Sequence, residues 1–324
     1  MNFSSLIEKH TGANSPFIAV DHAVLVRGKE TVFWMTLNSS EPLEDRILQA
    51  HLDTEENHGL LNHTIRVRTQ RRGCYLKCQF CKASEMLSGK NVPSEQIVAQ
   101  AAEILKSYLV KPSEIQSLTI STKGLGEPFV NKAVVEAIAE MRGFLPDANF
   151  VVSSSGPKAG QPVFDALLGI AGKNVPIDLE FSVHHFDDTV RGHALMPENP
   201  KLLWSVSKLS SLAEQWYAKT QRQVRFTIAF GPAFSNAQPI DLGICKELFP
   251  PESCVPQLTL LAPKSETQRW NPYNFMPELQ RVERMLLDSG YSPLRFFPPG
   301  FNEGGSCGTL VDKVAEQELH HIEL

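Results

Sequence analysis

The sequence predicts an α/β protein whose main body is a partial (β/α)6 barrel, and three observations lead there. From Thr64 onward, β-branched apolar runs alternate with helical patterns, the signature of a parallel sheet with helical crossovers. Six strand–helix units can be read, fewer than a closed eight-fold barrel uses. Each unusual polar or glycine-rich stretch directly follows a strand, where ligands gather in such sheets. A doubly wound open sheet is the alternative reading of the same alternation.

The elements follow in order. Residues 1–62 read as a small N-terminal β-rich appendage: FIAVDHAVLV and ETVFWMTLN form two strands around an RGKE turn, and EPLEDRILQAHL is expected to be a short helix. The barrel is expected over 63–312. TIRVRTQ is its first strand, and SEQIVAQAAEILKSYL has the apolar spacing of a helix at Ile97, Ala101, Ile104 and Leu105. IQSLTIS is a strand and NKAVVEAIAEMRG a helix ending at Gly143. NFVVSSS, IDLEFSV, QVRFTIAF and VPQLTLLA are further strands, separated by helices around 161–171, 201–218, 238–248 and 277–289, and PLRFF is a last strand. Residues 313–324 form an acidic C-terminal tail.

The bulk properties are those of a globular chain: 324 residues, 42% hydrophobic and 21% charged. No apolar run reaches the length of a membrane span, and MNFSSLIEKHTG lacks the pattern of a secretion signal, so a cytoplasmic location and no membrane partner are expected. Six cysteines in such a chain point to metal or redox chemistry rather than disulfides. The net charge of −5 is not that of a protein that coats nucleic acid. A local basic stretch nevertheless surrounds the cysteines: Arg66, Arg68, Arg71, Arg72, Lys77, Lys82 and Lys90 stand against Glu85 alone. Arg66 and Arg68 alternate on one strand face, which fits either outward solvation or the binding of an anionic substrate.

Cys74-x3-Cys78-x2-Cys81 places three thiols on one short loop after the first barrel strand. A structural zinc site normally takes four ligands as two pairs, and no second pair lies nearby in sequence. Three thiolates on a [4Fe–4S] cubane leave one iron open. In radical S-adenosylmethionine (SAM) enzymes the open iron chelates SAM through its amino and carboxylate groups. A zinc site and three unrelated cysteines remain the bland alternatives. Phe80, before the last cysteine, fits the aromatic habit of radical SAM loops.

The downstream segments resemble the RlmN/Cfr family of radical SAM RNA methyltransferases, over roughly residues 64–312. GLGEPFVN (124–131) is similar to the family's GMGEPLLN, SSSG (153–156) to STSG, and FSVHHFDDTVRGHALMPENPK (181–201) to its SLHAPND…R…LMPIN run. LTLLAPKS resembles the strand end NLIPxN, with Ser265 in place of the asparagine, and GGSCGTL resembles AACGQL. The resemblance implies that Cys74, Cys78 and Cys81 bind a [4Fe–4S] cluster. It implies that Gly126, Glu127, Ser153, Ser182, His184 and Ser265 bind SAM, and that Cys307 is the methyl-carrying catalytic cysteine. Reductive cleavage of SAM further implies an electron donor such as a flavodoxin or ferredoxin. Taken singly, each segment also reads as a turn or a helix cap.

Two departures from the family stand out. The family's second cysteine, seven residues before the first cluster ligand, is Val67 here. About sixty residues precede the barrel, fewer than the family's N-terminal RNA-binding domain. Cys245 and Cys254 read as ordinary buried thiols. Three functions follow from these readings: a radical SAM methyltransferase acting on an sp2 carbon, with RNA as a candidate substrate; a radical SAM enzyme acting on a small molecule or peptide without methyl transfer; and a non-enzymatic metal-binding regulator.

Overall fold

The computed structural model describes residues 2–295 other than 26–29, 42–45, 58–59, 72, 85–88, 109–114, 125, 235–239 and 262–269. The RGKE turn, Arg72, Ser265, Cys307 and the C-terminal tail therefore lie, wholly or in part, outside the described residues. One ten-stranded sheet runs through the rest, its strands neighbouring one another in chain order. Strands β1 (Phe17–Leu25), β2 (Glu30–Leu37), β3 (Ile47–Asn57) and β4 (Leu60–Arg66) are antiparallel. From β4 the sheet turns parallel through β5 (Ile115–Ser121), β6 (Asn149–Ser154), β7 (Ile177–Ser182), β8 (Val224–Phe230) and β9 (Cys254–Leu260), ending in the short β10 (Leu294–Arg295). The partial barrel expected from the sequence is present. The N-terminal strands are joined to it through β4.

Helices fill the crossovers. They are α1 (Phe3–His10), which precedes the sheet, then α2 (Ser94–Tyr108), α3 (Ala133–Phe144), α4 (Gln161–Ile170), α5 (Asp188–Leu195), α6 (Val206–Thr220), α7 (Leu242–Leu248) and α8 (Met276–Asp288). Their starts are chemically marked: the Asp187, Ser205 and Asp241 side chains accept backbone N–H groups of the first turns of α5, α6 and α7. α1 packs on α2 and α3, and Lys9 and His10 both reach Glu140 of α3.

Strand alternation sorts the sheet into two faces. Ile65, Leu118, Ile120, Phe150, Leu179, Phe226 and Leu258 join one buried apolar layer with Phe164 and Trp216 of the helices. The opposite face is polar and encloses the lumen, a cavity of about 500 Å³ lined by residues such as Thr64, Arg66, Ser121, Asn149, Glu180 and Gln257.

The short helix expected in EPLEDRILQAHL is instead strand β3 over its described C-terminal part. Leu48, Ala50 and Leu52 are buried at every second position, and β3 pairs with a neighbour on each side. A period of two outweighed the charged, helix-like lead-in, because a strand with two partners satisfies both backbone edges. α1 and α5 had not been read as helices. Leu48→Ala should cost about 2–5 kcal/mol, whereas exposed Glu55→Ala should stay within about 0.5 kcal/mol. Urea unfolding checks this, and equal costs would contradict the facing assigned to β3.

Candidate active site

The loop that leaves β4 carries the three cysteines. Cys74 and Cys78 are half-buried and pack with Phe80 against Leu76, Leu195, Met196 and Leu203. The Gln79 N–H donates to the Ala194 carbonyl at 3.0 Å, docking the loop on the end of α5. Phe80 enters a second apolar group formed by Ala194, Ala229, Phe234 and Leu261 at the ends of α5, β8 and β9. The aromatic residue before the last cysteine thus anchors the loop across three elements. Burial pushes the Cys74 and Cys78 thiols above their ordinary range, and the charges of the neighbouring cysteines add to this. Among the described residues no His, Cys, Asp or Glu group has the spacing to hold a metal ion between its side chains. Cluster thiolates each take a different iron and so stand wider apart.

A second loop presses on the first. Gln70 accepts the Tyr75 N–H at 3.2 Å and the Glu127 N–H at 3.0 Å through one side-chain oxygen. Asn131 donates to the carbonyls of Thr69 and Val92 at 2.9 and 2.8 Å. Gly126 has φ +110°, and a Cβ there would lie 2.6 Å from Thr69 Oγ1 and 2.8 Å from the Gln70 nitrogen. Only glycine permits this approach. Thr69 Oγ1 is buried beside it without a hydrogen-bond partner.

Glu127 is 2% exposed. Its carboxylate accepts from the Phe129 N–H at 2.9 Å, Ser154 Oγ at 2.6 Å and the Ser155 N–H at 2.9 Å. Burial raises its pKa, and these donors with the nearby Arg191 pull against that rise. Arg191 is 1% exposed and donates to the carbonyls of Trp204, Ser155 and Ser182 at 3.0, 2.5 and 3.3 Å. It ties together the loops after β6 and β7.

His184 follows β7 with φ +61°, a strained conformation for a side-chain-bearing residue. Its ring packs edge-on to Phe80 at 5.4 Å and against Phe234 at 5.3 Å. Its Nδ1 is buried without a hydrogen-bond partner. Burial, reinforced by the Arg191 charge, lowers its pKa to about 3, so the ring is neutral.

Below this rim lies a charged core. Glu180 of β7 accepts from Lys123 at 2.8 Å, Ser153 at 3.2 Å, Thr227 at 2.8 Å and Gln257 at 3.2 Å, all at Oε1. Burial opposes its charge, but Lys123 and these donors hold its pKa below the ordinary value. Asp178, one lumen position earlier, accepts from Arg225 at 2.8 Å and Asn149 at 3.0 Å.

The structure therefore gathers Cys74, Cys78, Cys81, Gly126, Glu127 and His184 around one rim. Ser153 turns its hydroxyl to Glu180, and Ser182 is held through its carbonyl. Arg66 and Arg68 are 6% and 4% exposed, so the outward-solvated reading of that face is overturned: both are buried, and Arg66 lines the lumen cavity. Cys245 and Cys254 are buried in the outer apolar layer, as expected. Gln70, Lys123, Asp178, Glu180 and Arg191 had not been singled out as site residues. Polar residues at every second position of IDLEFS were the visible signal for Asp178 and Glu180.

The fold is shared with radical SAM methyltransferases. The crystal structure of one from Sphaerobacter thermophilus superposes with a TM-score of 0.70 at 20% identity, covering 91% of this chain and 81% of that one. More particularly, the chain is a homologue, at modest identity, of curated proteins named RlmN. It is 31% identical over 173 residues to the probable dual-specificity RNA methyltransferase RlmN of Chloroflexus aurantiacus, covering 50% of this chain and 43% of that protein. It is 27% identical over 243 residues to the protein of the same name from Salinispora arenicola, covering 74% and 62%. The chain thus spans about half the length of the curated relatives it matches. No protein-family model matches it. Among the described residues no helix is long and apolar enough to cross a membrane.

Two predictions follow from the charged core. Lys123→Met leaves Glu180 buried without its cation and should cost about 3–5 kcal/mol; denaturant unfolding reads it. The second concerns pH. His184 and Glu180 both have folded pKa values below their unfolded ones, so the unfolded chain binds more protons. Their stabilisation is complete above about pH 6.5. It is lost as pH falls, first through the His184 window and then, below the ordinary carboxylate value, through that of Glu180. In metal-free protein His184→Gln should flatten the stability slope between about pH 6.5 and 5; an unchanged slope contradicts the neutral ring.

Proposed function

We propose that the chain is a radical SAM enzyme that transfers a methyl group to an sp2 carbon, with RNA as the leading substrate class. The observation that carries this is the three-thiol loop held in an apolar nest, directly against the loops that bear Gly126, Glu127 and His184. Three thiols, with no fourth cysteine beside them among the described residues, fit a [4Fe–4S] cluster with an open iron. The buried, unpartnered Thr69 Oγ1 and His184 Nδ1 fit a polar cofactor such as SAM.

In this reading Cys74, Cys78 and Cys81 hold the cluster. Gly126, Ser153, Ser182, His184 and Ser265 shape the SAM site, and Glu127 and Arg191 position its loops. A cluster held by Cys74, Cys78 and Cys81 would supply one-electron reductive cleavage of SAM, which calls for an electron donor such as a flavodoxin or ferredoxin. The apolar groups around Phe80 keep water from the cysteines. The neutral His184 offers no acidic proton to the site. Cys307 is the methyl carrier, acting as a thiolate nucleophile. RNA is supported by the names of the relatives.

One observation favours a second reading, a radical SAM enzyme acting on a small molecule without methyl transfer. Val67, at the position of the family's second cysteine, lies in the outer apolar layer, and the adjoining lumen positions are arginines.

Anaerobic reconstitution tests both readings. Cys78→Ala should abolish cluster binding and formation of 5′-deoxyadenosine from SAM. Mass spectrometry of the Cys307 peptide should reveal an added methyl group, together with S-adenosylhomocysteine. Deoxyadenosine without S-adenosylhomocysteine would select the second reading, and absence of both products on supply of substrate and reductant would reject the class.

A further inference from the structure

Arg68 differs from the cations that line the lumen cavity. Arg66 pairs with Asp53, Lys123 with Glu180, Arg225 with Asp178 and Arg295 with Glu283. Arg68 is 4% exposed, and among the described residues its side chain makes no ion pair or hydrogen bond. Its Nε and Nη2 are both buried without an acceptor. Burial lowers its pKa to about 10, which leaves it a cation at neutral pH.

Its placement follows from the strand. The Val67 N–H donates to the Ser121 carbonyl at 2.9 Å, so pairing with β5 continues one residue past β4. Ile65 and Val67 belong to the outer apolar layer, whereas Arg66 lines the lumen cavity. Alternation places Arg68 on the lumen side, one step nearer the cysteine loop. The backbone there is fixed from behind by Gln100 of α2. Gln100 accepts the Arg68 N–H at 2.8 Å, and its amide donates to the Arg68 carbonyl at 3.1 Å. The same amide reaches the Gln96 carbonyl at 3.2 Å.

A buried guanidinium with no acceptor destabilises the free protein. Such a group makes physical sense where a ligand completes it. The planar fork of arginine matches the two oxygens of a carboxylate or phosphate. We infer that Arg68 is the receptor for an oxyanion on the substrate, anchoring a carboxylate- or phosphate-bearing group in the upper lumen, next to the cysteine loop. The choice of substrate over SAM rests on the proposed radical SAM reading, in which the SAM carboxylate is taken by the open iron. The need of Arg68 for an anion does not rest on it.

The test uses cluster-loaded protein with inorganic phosphate and acetate as probes, followed by thermal unfolding with and without SAM. At least one probe should raise the wild-type Tm; phosphate alone indicates a phosphate ligand, and acetate a carboxylate. Arg68→Met should lose that shift, bind SAM with affinity unchanged to within about twofold by calorimetry, and unfold roughly 2–4 °C higher than wild type in anion-free buffer. The higher Tm is a readout that a merely structural arginine would reverse. The inference is overturned if neither probe shifts the wild type, if Arg68→Met keeps the shift, if it unfolds lower than wild type, or if it weakens SAM binding tenfold. Failure of the radical SAM reading appears separately, as wild-type protein that forms no deoxyadenosine while the anion shift persists.

Discussion

A single oxygen of Glu180 receives side chains from four other strands or their ends: Lys123 just past β5, Ser153 on β6, Thr227 on β8 and Gln257 on β9. A carboxylate sunk this deep is tolerated only because its partners hold it charged. Each partner must reach the same point, so the register of five neighbouring strands is constrained at once. The apolar layer outside the sheet supplies the bulk of the burial but is permissive about alignment. The polar contacts inside are directional, and they set where each strand ends and therefore where each rim loop begins.

The rim is organised by the same means. Gln70 couples the cysteine loop to the Gly126–Glu127 loop, Glu127 couples that loop to the end of β6, and Arg191 couples β6 to β7. Each coupling is a buried polar side chain hydrogen-bonded to backbone groups, which rigidifies irregular segments that carry no ladder of their own. The cysteines sit on this scaffold with their apolar sides covered, and the one ring that touches their loop from β7, His184, is kept uncharged.

Much of this was legible in the sequence. Strands β5 to β9 were placed within a residue or two, because continuous β-branched runs bounded by turn residues have few other readings. The cysteine triplet and its neighbouring loops were legible because their residue types are rare in that spacing. The lumen was not. A polar residue at every second position looks like an ordinary solvated face until the sheet is seen to curl around it, and Arg66 and Arg68 carried that ambiguity. β3 was misread because its charged lead-in resembles a helix start while its period-two core spans only Leu48, Ala50 and Leu52. Gln70, Lys123 and Arg191 act through long-range contacts that no local pattern encodes. Ser265 and Cys307 fall outside the described residues.

The antiparallel strands bear on how the barrel survives in a crowded solution. An open parallel sheet ends in bare N–H and C=O groups, and its first strand would offer a template to any passing chain. Here β4 is not that edge, because β3 covers it along seven paired positions and β2 and β1 follow. The exposed border is thus moved three strands away from the loop that carries the cysteines. A chain trimmed to begin at residue 63 would keep every rim residue and yet turn β4 into a sticky border, so intermolecular pairing would start beside the cysteine loop.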